Sequence, residues 1–192
     1  MTSTFVPNDV RVPSRLSSTW AGTTAASRAV AFGAAITSVI VGHGAAATAA
    51  LRLGLAACGV IFVLAALVDV ATYRIPNVLM AMGLAAVGGG ALIGLTMHEM
   101  LGAVIGLLIA GGSMFAVHVG RGVGMGDVKM AAVVGAGTGA VAVIAAPMAI
   151  AIAAALAAGF GLFTSRQRLP LAPSLWAGWI VALVASRLAG LA

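Results

Sequence analysis

From residue 29 onward, long apolar runs alternate with short polar breaks. Arg28 precedes the run AVAFGAAITSVIVGHGAAATAAL, and further runs cover about 53–70, 78–96, 101–118, 130–147, 149–163 and 170–190. Most approach the roughly 20 residues that an α-helix needs to cross a bilayer. The pattern therefore predicts an all-α polytopic membrane protein. Residues 1–28 differ: they are rich in Ser, Thr and Pro, carry Arg11 and Arg15, and read as a flexible polar tail. The tail precedes a single transmembrane helical domain, 29–192. Its first run is taken as a retained helix rather than a signal peptide, because the leader would be unusually long.

The stretch 130–163 fits either one long tilted helix or two short ones turning near Pro147, and the basic residues decide between them. With the N-terminus inside and seven helices, Arg11, Arg15, Arg28, Arg74, Arg121, Lys129, Arg166 and Arg168 are cytoplasmic. Only Arg52 and Arg187 then fall outside, in keeping with the positive-inside rule. A single span would move Arg166 and Arg168 outside, so seven helices are expected.

Composition sharpens this picture. The chain is 62% hydrophobic and 7% charged, with a mean hydropathy of +1.16; a soluble domain would be about one quarter charged. A net charge of +6 would point to nucleic acid in a soluble protein. Here the basic residues lie mostly between apolar runs as topology signals, so the expected surroundings are lipid, with no nucleic-acid partner and no particular oligomeric state implied. The single cysteine, Cys58, excludes an internal disulfide and a Cys-based zinc site, and reads as a packing residue. GAVIG (Gly102–Gly106) and GAGTG (Gly135–Gly139) have the small-xxx-small spacing that lets helices approach closely. The methionines are assigned to lipid or neighbouring helices. His43 and His98 are assigned to the outer interface, and His118 to the cytoplasmic end of its helix.

The candidate chemistry rests on the acids, of which there are four. Asp9 lies in the tail, and Glu99 in the short gap MHEM between two runs. Asp69 and Asp127 each abut an apolar run near one of its ends. A carboxylate at the centre of a membrane helix costs roughly 2.5–3.5 kcal/mol, less near an interface, and such groups mark function. Asp69 ends a helix entering the cytoplasm and Asp127 begins one leaving it, with a two-helix hairpin between them, so both return to the same face. Two carboxylates sharing a site hold one proton between them: the ionised member activates a water and the protonated one polarises a carbonyl. This is peptide hydrolysis with no metal or cofactor. Gly120, Gly122, Gly124 and Gly126 surround Asp127, predicting an irregular loop in which Gly124 and Gly126 let an extended substrate approach. Pro76 is expected in the first turn of the helix that follows, with Ile75 extended. Arg74 and Lys129 either anchor the helices at the interface or tune the acids.

These residues resemble the type IV prepilin peptidases. The resemblance lies in Asp69, Arg74, Ile75, Pro76 and Asn77, followed by Gly124, Gly126, Asp127, Val128 and Lys129, and covers about 53–190. The Pro-rich entry LPLAPSLWAGWIVAL is similar to that family's last helix. The resemblance implies an aspartic endopeptidase of the bacterial inner membrane with Asp69 and Asp127 as its catalytic pair. It implies removal of a basic leader from a prepilin or pseudopilin, after a glycine, at the cytoplasmic face. Gly124, Gly126, Arg74, Lys129, Pro76 and Asn77 would support the site. Longer members carry a cysteine-rich segment and methylate the new N-terminus. With one cysteine, this chain is similar to the short Tad/Flp-type form, expected to be peptidase only, with one helix more than the usual six.

Two other classes share some of these features. A proton-coupled transporter can relay protons through paired membrane acids, but such sites lie near the midplane and often within inverted repeats. Neither trait is visible here. An inactive assembly factor would have no need of both acids.

Overall fold

The computed structural model describes residues 25–44, 48–94, 96–120, 122–164 and 169–191. Most of the expected tail, together with Arg121, Arg166 and Arg168, lies outside them, as do the side chains of Arg28 and His43. The described residues form seven helices and no strand: α1 (Ala25–Gly44), α2 (Ala49–Thr72), α3 (Asn77–Gly94), α4 (Met97–Val119), α5 (Met125–Val141), α6 (Ala145–Thr164) and α7 (Ala172–Leu188). Four of them, α2, α3, α4 and α6, are long and apolar enough to cross a membrane. Leu92, Ile93, Leu108, Leu162 and Phe163 stand exposed on their outer faces, as expected where the solvent is lipid.

The stretch 130–163 is indeed two helices. The break falls at Ala142–Ile144, and Pro147 sits in the first turn of α6, where its missing N–H leaves no hydrogen bond unmade. Helix α5 runs through the centre of the bundle, packed against α3, α4, α6 and α7. From Met130 to Val141 every residue except Ala132 is buried, the pattern of a helix that is apolar all round. Its closest partner is α4. Gly102 and Gly106 face Gly135 and Gly139, and a Cβ added at any of the four would collide with backbone across the interface. The two small-residue motifs are thus halves of one contact. Cys58 is wholly buried beside α3, and Phe62 of α2 meets Trp179 of α7 edge-on at 5.4 Å.

Two helix starts differ from the expectation. Helix α2 begins at Ala49, so Arg52 is in its first turn and not in a gap between runs. Helix α4 begins at Met97, which puts Glu99 inside its first turn. Both shifts have one cause. Glu99 is buried, and its carboxylate accepts the Thr48 N–H at 3.2 Å and the Thr48 hydroxyl at 2.9 Å. Thr48 in turn caps α2 by accepting the Leu51 N–H at 3.3 Å. A carboxylate on one helix thereby closes the start of another.

Candidate active site

The opposite end of the bundle gathers the end of α2, the start of α3, the end of α4 and the start of α5. Asp69 lies in the last turn of α2, where the helix macrodipole is negative and a carboxylate is ill placed. It is nevertheless buried. The compensation comes from α7, whose Ala172 N–H donates to Asp69 Oδ2 at 3.0 Å. Leu171, the residue flanking α7, offers no side-chain cap, and Pro173 has no N–H to satisfy. Asp69 is therefore the group that closes the start of α7, over a separation of 103 residues.

Asp127 reaches the same region differently. The expected irregular loop is confined to the residues before Gly124, because α5 already begins at Met125. Asp127 occupies its first turn, and Oδ2 accepts the Gly124 N–H at 3.1 Å, the acid half of a capping box. A helix start leaves N–H groups without intrahelical partners, and an acid three residues after Gly124 accepts one N–H there, which lets the helix begin at this glycine-rich point. The ring N–H of His118 donates to Val123 O at 2.8 Å, tying the glycine-rich connection back to the end of α4.

The surrounding motif residues join the two acid-bearing segments. Tyr73, at the end of α2, adopts a left-handed conformation (φ 53°), and its N–H donates to Asp69 O at 2.8 Å. The connection Tyr73–Pro76 is four residues long, and Pro76 stands immediately before α3, one place earlier than expected. Lys129 Nζ donates to Asn77 Oδ1 at 2.8 Å, linking the starts of α5 and α3. Gly126 faces Ile75: an added Cβ would lie 3.2 Å from Ile75 Cβ. The space beside Gly126 is thus taken by the chain's own Arg-Ile-Pro-Asn segment, contrary to the expectation that it admits substrate. At Gly124 an added Cβ would lie 3.2 Å from Asp127 Oδ2, so that glycine serves the acid directly. Arg74 is exposed at the same end.

Sequence reasoning brought out Asp69, Asp127 and their neighbours but missed Ala172, whose contribution is a backbone N–H. The prolines at the entry to α7 signalled a helix start there, without indicating what it faces. Neither a search of curated proteins nor one of solved structures returned a match. A family model does match, over residues 55–162, spanning most of α2 through nearly all of α6 and including both acids with Arg74, Ile75, Pro76, Asn77, Gly124, Gly126 and Lys129. The chain belongs to the type IV leader peptidase family.

Proposed function

We propose that this protein is a membrane aspartic endopeptidase that removes the basic leader of a Flp-type prepilin or pseudopilin. Cleavage follows a glycine just ahead of the substrate's apolar helix, at the cytoplasmic face of a bacterial inner membrane. The observation that supports this reading most is that the segment following Asp69 and the one bearing Asp127 meet at one end of the bundle, with Lys129 bonded to Asn77 and Gly126 against Ile75. The ionised member of the pair takes a proton from a water, which attacks the scissile carbonyl while the protonated member donates to that oxygen. As the C–N bond breaks, the first member passes the water's proton to the leaving amine and the second regains its own from the intermediate's hydroxyl. Lys129, Asn77, Ile75 and Gly126 hold the two acid-bearing segments in register, and Gly124 supplies its N–H to Asp127. Anchoring enzyme and substrate in one membrane supplies much of the orientation. The four-residue α2–α3 connection and the lone buried Cys58 support a peptidase without N-methyltransferase activity.

The test is processing in membranes. Wild type, Asp69→Asn and Asp127→Asn are each co-expressed with a Flp-type prepilin, and the substrate's size and new N-terminus are determined. Wild type is expected to trim it after a glycine, while each variant inserts normally and leaves it full length. Substantial trimming by either variant refutes the pair.

A further inference from the structure

Helix α1 lies outside the residues matched to the family, yet it is docked specifically. Ser38 is wholly buried; its hydroxyl donates to Ala34 O at 2.8 Å and accepts the indole N–H of Trp176 at 2.8 Å. The close approach depends on absent side chains. A Cβ at Gly59 of α2 would lie 2.6 Å from Ser38 Cβ, and one at Gly42 of α1 would lie 2.8 Å from the α2 backbone at Ala56 N. These contacts hold α1 in the angle between α2 and α7.

Trp176 follows Ala172 by four residues. Residues so spaced lie one turn apart on the same helix face. The bond from Ser38 therefore grips α7 about 6 Å along its axis from the N–H that meets Asp69. We infer that Ser38 and Trp176 form a latch by which α1 sets the Ala172 N–H on Asp69, making both positioning residues for the proposed hydrolysis. This inference rests on the reading of Asp69 as one of the catalytic pair. Neither residue touches the reacting atoms; each acts through α7.

Ser38→Ala removes the acceptor and keeps the buried Cβ, while Trp176→Phe removes the N–H and keeps an aromatic ring. Each variant, the double variant and Asp69→Asn are reconstituted as full-length protein in liposomes. The substrate is a single-span reporter carrying a basic leader, a glycine and an apolar helix. Each single variant is expected to lower kcat about tenfold with KM unchanged, because a carboxylate displaced by a fraction of an ångström loses alignment and not affinity. The double variant should fall no further than the weaker single, as members of one unit do. Amide hydrogen exchange over residues 169–175 should quicken in all three, a change that leaves substrate out of account. The latch is overturned by kcat within twofold of wild type in both singles, by multiplicative losses in the double, by a rise in KM at constant kcat, or by unaltered exchange. An inert wild type, or an Asp69→Asn variant that cleaves like wild type, overturns the catalytic pair instead, and the exchange readout then still decides the latch.

Discussion

Helix α4 carries two glycines, six residues apart, for which substitution by alanine should act in opposite directions. At Gly106 an added Cβ lies 2.8 Å from Gly139 Cα and 3.0 Å from the Gly135 carbonyl carbon, where ordinary contact begins at 3.4 Å. The shortfall at Gly139 Cα alone requires the helices to part by about 0.6 Å. Helix α5 cannot recede, since α3, α6 and α7 pack against its other sides. Overpacking of this kind costs about 1–3 kcal/mol. At Gly112 an added Cβ meets nothing within 4 Å, so Gly112→Ala removes only the conformational penalty of a helical glycine and gains up to about 1 kcal/mol. For a chain of this size, each kcal/mol moves the melting midpoint by about 2–4 °C. Cys58 supplies the assay: it is the single cysteine and wholly buried, so a thiol-reactive dye in detergent reports its exposure on heating. Gly106→Ala should melt several degrees below wild type and Gly112→Ala at or slightly above it. A Gly106→Ala midpoint equal to that of Gly112→Ala would refute the packing argument.

The bond between Lys129 and Asn77 predicts that Lys129→Met and Asn77→Ala each reduce cleavage about tenfold. Their double variant should lose no more than either single, as a double-mutant cycle on the cleavage rate would show. Glu99→Ala takes away the acceptor of the Thr48 N–H and hydroxyl, leaving a partly buried donor unpaired at a cost of about 1–3 kcal/mol. The Cys58 melting assay should register that loss. Cleavage per folded molecule should hold at its wild-type rate, because Glu99 lies at the other end of the bundle.

The outline of this fold was legible because it rests on short-range signals. Apolar run lengths set the helix count, and Arg166 with Arg168 split 130–163 correctly. The hairpin between Asp69 and Asp127 brought both to one end. What stayed hidden depends on partners distant in sequence. The apolar pattern leaves Glu99 in a gap because its partner, Thr48, is 51 residues away, although Thr96-x-x-Glu99 has the spacing of a helix start. The glycines around Asp127 predict an irregular loop because glycine breaks helices, yet Gly124 serves as the flanking residue and the acid three positions later closes the first turn. Ala172 was invisible in principle: a backbone N–H carries no side-chain signature.

The bond from the Ala172 N–H to Asp69 also has a consequence in time. Synthesis at about 5–20 residues per second separates the two residues, 103 apart, by roughly 5–20 s. Helix α2 thus enters the membrane well before the group that will hold its carboxylate exists, and α5 delivers Asp127 in the interval. The pair can be in place on the nascent chain while its support from α7 is still missing. Completion of the site waits for α7, so a chain cut before Ala172 lacks the support that Asp69 receives here.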